Sequence, residues 1–83
     1  MADKILMFTS VMCDPCAEMA VTMSSQDINV PVEKMDADNS DVLSTYVVRT
    51  VPLLIYLRDG EEVARLAGNR PLEKIISWIE GRQ

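Results

Sequence analysis

Lys4-Ile5-Leu6-Met7-Phe8-Thr9-Ser10-Val11-Met12-Cys13-Asp14-Pro15-Cys16 runs from an apolar segment, through a short break, into two cysteines three apart. Lys4 to Thr9 is short and apolar at consecutive positions, the pattern of a central parallel strand buried on both faces. From Pro15 to about Ser25 the period changes: Cys16, Met19, Ala20 and Met23 fall at i, i+3, i+4 and i+7, one apolar stripe of a helix. The cysteines therefore stand where a strand hands over to a helix. Asp27 to Asn29 is expected to close that helix and lead out of it.

Working outward, Val30-Pro31-Val32-Glu33-Lys34-Met35-Asp36 reads as a second strand, placed at a sheet edge because Pro31 has no N–H to give a ladder. Ser40 is the expected N-cap of a short helix through Val47, with Asp41 well placed near its positive end. Val51 to Leu57 is a buried strand. Arg58-Asp59-Gly60-Glu61 makes a hairpin turn into Glu62 to Ala67, where the alternation of Val63 and Arg65 with Ala64 and Leu66 suits an outer strand. Gly68-Asn69 breaks that strand, and Pro71 sits in the first turn of a last helix. Leu72, Ile75, Ile76 and Ile79 give that helix its buried face, Trp78 packs from it, and Gly81 ends it. The order βαβαββα implies an α/β fold: a right-handed parallel crossover, then an antiparallel hairpin and a helix. The result is a four-stranded mixed sheet flanked by helices on both faces.

The 83 residues, 48% hydrophobic and 25% charged, suit one globular domain over residues 1–83. A net charge of −5 repels phosphate backbones, so nucleic acid is not an expected partner. The apolar run Ile5 to Phe8 is too short for a membrane span or a signal-peptide core, and the chain is expected to be a cytoplasmic monomer away from membranes.

There are two cysteines and no histidine. A bridge between such close neighbours removes little freedom from the unfolded chain, so its value lies in chemistry. Near a helix N-cap, unpaired N–H groups and the positive end of the macrodipole favour a thiolate on Cys13. Cys16, about one turn in, is within bridging reach and better shielded. Disulfide exchange needs that asymmetry: one thiolate attacks and a second thiol resolves the mixed disulfide. Pro15 shapes the loop within the first turn, where its missing N–H costs little. Two blander alternatives stay open: a zinc site completed by dimerisation or carboxylates, and a pair of inert buried thiols. Met7, Met19, Met23 and Met35 fall on apolar faces and read as core rather than metal ligands. Asp36, Asp38 and Asp41 lack the spaced loop of a cation site and read as a solvated turn and helix cap. Thr50-Val51-Pro52, taken alone, is a strand-initiating proline.

The apolar strand, Cys13-Asp14-Pro15-Cys16, Val32-Glu33-Lys34-Met35-Asp36-Ala37-Asp38, Val51-Pro52, Asp59-Gly60 and Gly68 occur in the order and approximate spacing of thioredoxins. The chain resembles a thioredoxin that lacks the family's first strand and helix. The resemblance implies a minimal thioredoxin-like fold and a protein-disulfide reductase in which Cys13 attacks and Cys16 resolves. It implies no metal and no cofactor beyond the redox-active disulfide Cys13–Cys16, protein disulfides as substrates, and a flavoprotein thioredoxin reductase as electron donor. It also implies a cis Val51–Pro52 bond facing the cysteines. The Val51 backbone would then pair with an extended substrate segment, inside an apolar rim of Met12, Pro15 and Gly68.

Lys34 matches the lysine that thioredoxins place behind the active site; its bland alternative is an exposed edge-strand charge. Two positions depart from the family: Met7 stands where it carries a buried aspartate, and Met12 where it carries a tryptophan. The usual proton acceptor for Cys16 is therefore missing, and Asp14 or water is expected to take its place. Asp14 also sets a negative charge beside Cys13 and opposes its thiolate. Two rival functions remain. One is a glutaredoxin-like reductase drawing on glutathione, for which the length suits, although Cys-Pro-Tyr-Cys is absent and Gly68-Asn69-Arg70 only loosely resembles the glutathione-binding turn. The other is a non-catalytic adaptor that holds a partner through Met12, Val51 and Gly68.

Overall fold

The computed structural model describes residues 2–83. Seven elements follow the expected order: β1 (Asp3–Thr9), α1 (Asp14–Met23), β2 (Val32–Asp36), α2 (Ser40–Tyr46), β3 (Leu53–Arg58), β4 (Glu61–Ala67) and α3 (Leu72–Glu80). The strands form one mixed sheet in the order β2-β1-β3-β4, with β2 at an edge. β1 pairs in parallel with β2 and antiparallel with β3, which pairs antiparallel with β4.

β1 is apolar at consecutive positions because both of its faces are covered, and the two-residue period of a strand divides its side chains between two layers. Ile5 and Met7 join Leu54 and Tyr56 of β3 against Met19 and Met23 of α1 and Ile75 and Ile79 of α3. Leu6 and Phe8 join Leu53, Ile55 and Leu57 on the opposite face, where Val42 and Tyr46 of α2 pack against them. Aromatic rings lock each layer: Tyr56 meets Trp78 edge-on at 5.9 Å, and Phe8 lies 5.4 Å from Tyr46. No helix among the described residues is long and apolar enough to cross a membrane.

Several boundaries differ from the sequence-based expectation, each for a local hydrogen-bonding reason. α1 stops at Met23, short of Asp27: the Ser24 hydroxyl donates to the Val21 carbonyl at 2.6 Å, and the Asp27 N–H donates to the Ser25 hydroxyl at 3.1 Å. β2 begins after Pro31, not at Val30, although the Pro31 carbonyl still accepts from the Ile5 N–H at 2.8 Å. The cap of α2 is Asn39, not Ser40; its side-chain oxygen accepts from the N–H groups of Asp41 (2.9 Å) and Val42 (3.3 Å). β3 starts at Leu53, after Val51–Pro52, and Pro71 is the N-cap of α3, one residue before its first turn. The Asp59-Gly60 hairpin is as expected, with φ of 53° and 85°, the two positive values of a tight primed turn.

At the end of the sheet away from the cysteines, Asp3 faces Arg58 across the β1–β3 ladder. Its carboxylate accepts from Arg58 Nε and Nη2, both at 3.0 Å, and from the Tyr56 hydroxyl. Arg58 also donates to the Arg82 carbonyl, tying the C-terminus to the same knot. The Arg58 hydrogen bonds, then that of Tyr56, hold the Asp3 carboxyl at about 2 instead of 3.8. A depressed folded-state value means that the ionised carboxylate stabilises the fold above its unfolded pKa, and this stabilisation is lost as pH falls towards the folded value. Asp3→Asn should therefore lower the urea midpoint at neutral pH and flatten the wild-type decline between about pH 4 and pH 2. Identical pH slopes for the two proteins in that window would refute the assignment.

Candidate functional site

Three connections converge on one end of the sheet because of how β1 is paired. Its register sets Thr9 beside Asp36 of β2 and Phe8 beside Leu53 of β3, while Leu53 lies opposite Ala67 of β4. The Ser10–Cys13 loop, the Val51–Pro52 segment and Gly68 thus leave the sheet together. The Val51–Pro52 bond is cis, Pro52 is buried, and its carbonyl accepts from the Gly68 N–H at 2.9 Å. Gly68 has φ of 85°, a conformation that side-chain-bearing residues rarely adopt.

The cysteine loop is held from below. The Asp38 carboxylate accepts from the Ser10 hydroxyl (3.1 Å to each oxygen) and from the Val11 N–H (3.3 Å), while the Ala37 N–H donates to the Thr9 carbonyl at 2.8 Å. So anchored, the loop presents Val11 and Met12 to solvent at 87% and 92% exposure. Asp38 is thus more than the solvated turn expected of it, and Val11 belongs to the exposed apolar surface beside Met12. On the opposite side, Asn69 donates to the Glu18 carboxylate at 2.7 Å and ties the turn after Gly68 to α1.

Cys13 is the N-cap of α1, in an extended conformation (φ −137°, ψ 100°), and its Sγ accepts from the Cys16 N–H at 3.2 Å. Asp14 and Pro15 open the helix and are exposed. The sulfurs of Cys13 and Cys16 are bonded, with their Cα atoms 5.2 Å apart. Cys16 is 3% exposed whereas Cys13 is half-buried, so an incoming disulfide reaches Cys13 first. The helix start that accommodates the Sγ of Cys13 is also what stabilises negative charge there, through a directed N–H donor and the macrodipole.

Beside the disulfide lies a cleft of about 220 Å³ lined by Thr9, Ser10, Val11, Cys13, Cys16, Ala17, Ala20 and Lys34. Lys34 is exposed on β2 and pairs in register with Met7, itself 5% exposed. The cleft therefore brings Lys34 together with both cysteines. Its lining contains no carboxylate; Asp14 lies outside it, and Asp36 borders an adjoining cleft of about 340 Å³ that shares Thr9, Ser10, Val11 and Lys34. Among the described residues, no three His, Cys, Asp or Glu side chains are grouped to hold a metal ion.

The sequence matches the family model described as Thioredoxin over residues 2–81. It is 30% identical over 82 residues to a thioredoxin of Staphylococcus epidermidis, which takes in 93% of this chain and 79% of that protein. To thioredoxin H7 of Arabidopsis thaliana it is 31% identical over 85 residues, 95% of this chain and 65% of that protein. The chain thus spans roughly two thirds to four fifths of these two relatives. A mutant thioredoxin from Halobacterium salinarum has the same fold, with a TM-score of 0.86 and 28% identity over 96% of this chain and 74% of that one.

Two measurements test this geometry. After reduction, iodoacetamide should alkylate Cys13 well before Cys16, as read by peptide mass mapping; equal rates would contradict the burial difference. Asp14→Asn removes a negative charge next to the sulfur that must carry one, so it should favour the dithiol and raise the reduction potential, by on the order of 10 mV for a solvent-exposed charge. An unchanged potential would show that Asp14 does not act on Cys13.

Proposed function

The chain belongs to the thioredoxin family, and we propose that it is a dithiol–disulfide oxidoreductase that reduces protein disulfides through Cys13 and Cys16. The observation that carries this reading is the unequal placement of the two sulfurs at one helix start: Cys13 reachable at the N-cap, Cys16 buried beside it.

The reaction balances on sulfur alone. The Cys13 thiolate attacks one sulfur of a substrate disulfide, forming a mixed disulfide and releasing the other as a thiolate that takes up a proton. Cys16, deprotonated, then attacks Cys13 Sγ; the second substrate sulfur leaves, and the Cys13–Cys16 disulfide closes. Two electrons have passed to the substrate, with no resident cofactor. The Cys13 thiolate that makes the first attack draws on the electropositive helix start, which stabilises its negative charge. The Cys16 proton passes to water in the cleft at Lys34, because the buried Met7 is apolar and Asp14 is not among the residues that line that cleft.

The substrate is an extended segment docked against the Val51 backbone and the apolar surface of Val11, Met12, Pro15 and Gly68, a strand-addition mode in which main-chain hydrogen bonds give affinity. A flavoprotein thioredoxin reductase returns the electrons.

The test is NADPH consumption with insulin as the disulfide substrate, coupled in parallel through thioredoxin reductase and through glutathione with glutathione reductase. Turnover is expected in the first reaction and should vanish with Cys13→Ser. Turnover in the glutathione reaction alone would move the protein to a glutaredoxin-like role. Silence in both, with partner capture that survives Cys13→Ser, would leave it an adaptor.

A further inference from the structure

Helix α2 carries no basic side chain in its last turn, and its final carbonyls, like those of any helix, lack partners within the helix. The chain leaves it through Val47 in the left-handed region, at φ 53° and ψ 64°. A β-branched residue there is a conformational outlier that persists only where its surroundings hold it. The Val47 N–H donates to the Leu43 carbonyl at 2.9 Å. The remaining hold comes from the far strand of the sheet. Arg65 of β4 donates from Nη1 to the Val47 carbonyl at 3.1 Å and from Nη2 to the Tyr46 carbonyl.

Arg65 is itself aimed. Its Nε and Nη2 donate to the Glu62 carboxylate, the latter at 3.0 Å, so both edges of the planar fork are used. In a regular strand Glu62 and Arg65, three apart, would point to opposite faces. The register slips between Tyr56 and Leu57, so that Leu57 pairs with Glu62 but Ile55 with Arg65. Val63 is the extra residue of a bulge, and the slip puts Glu62 and Arg65 on one face, that of Ile55 and Leu57, where α2 packs. Arg65 there spans an opening: a cleft of about 440 Å³, lined by Val47, Arg49, Thr50, Leu53, Arg65 and Ala67, separates β4 from the α2–β3 connection.

Between the clamped turn and Pro52 lie only Val48, Arg49, Thr50 and Val51, and Thr50 and Val51 share a second cleft with Ser10 of the cysteine loop. We propose that Arg65 is a positioning residue: by fixing the left-handed Val47 turn it presets the backbone of residues 48–51 against which a substrate disulfide docks. Its effect on turnover rests on the reductase reading; the clamp itself rests on the geometry alone.

The experiment compares wild type with Arg65→Met, Arg65→Lys and the double variant Arg65→Met with Val47→Gly. Insulin reduction with dithiothreitol as electron source gives KM and kcat, and hydrogen–deuterium exchange reads the amides of residues 48–51. Arg65→Met should raise KM for insulin on the order of fivefold through lost preorganisation, with kcat nearly unchanged, and speed exchange at residues 48–51. Arg65→Lys should follow it, since one ammonium cannot span two carbonyls and a carboxylate. Val47→Gly should restore part of the loss, because glycine occupies the left-handed region without a Cβ penalty. A lowered thermal midpoint with unchanged KM and unchanged exchange would overturn the proposal and leave Arg65 a stabiliser of β4 against α2. Failure of every protein to reduce insulin would sink the reductase reading instead, with the exchange rates still deciding the clamp.

Discussion

Strand β1 is hydrogen-bonded along both edges, in parallel to β2 and antiparallel to β3, and the position of every functional loop follows from that double pairing. A parallel neighbour ends level with β1, so Lys34 and the Asp36–Asp38 turn arrive at the same end of the sheet as Cys13. An antiparallel neighbour begins there, so Pro52 arrives too, and β4 returns Gly68 opposite it. The register is held because a slip by one residue would exchange Ile5 and Met7 with Leu6 and Phe8 between two layers of different shape.

The chemistry at this end depends on unequal environments for two identical side chains. Cys13 caps the helix with its sulfur facing an N–H donor, and Cys16 sits one turn in, closed off from solvent. What distinguishes the chain is the layer beneath. Met7 is buried in the apolar layer that packs under α1, and the ionic side chain lining the cleft beside the two sulfurs is the Lys34 ammonium. Exposed Val11 and Met12, on the loop held by Asp38, set an aliphatic and thioether surface beside Cys13.

Much of this was legible in the chain. The seven elements, their order and the edge position of β2 followed from periodicity and from Pro31. The placement of Cys13 at the helix start followed from the change of period at Pro15. The thioredoxin resemblance correctly implied the cis Val51–Pro52 bond, which Thr50-Val51-Pro52 alone does not signal. The errors lie at boundaries, where adjacent residues compete for one task. Asn39 and Ser40 are both good caps, and Asn39 prevails because its amide oxygen reaches the N–H groups of Asp41 and Val42. Ser24 and Ser25 end α1 early through hydroxyl bonds that the apolar stripe does not record. Asp38 and Arg65 were passed over as a turn residue and an outer-strand charge because nothing in their own neighbourhoods distinguishes them.

By itself, then, the sequence determined whatever depends on near neighbours: strand and helix periods, the hairpin at Asp59-Gly60, and a sulfur at a helix N-terminus with a second one turn later. These are short-range matters of sterics and hydrogen-bond geometry, readable from spacing. Tertiary structure alone decided which distant groups meet. Asp38 grips a loop 27 residues before it, and Arg65 reaches a carbonyl 18 residues before it. Lys34 joins the cysteines, and Met7, not a carboxylate, lies in register with it. Those contacts rest on strand register and on one bulge at Val63, both of which emerge from packing two layers against a single sheet, so no local stretch of the chain contains them.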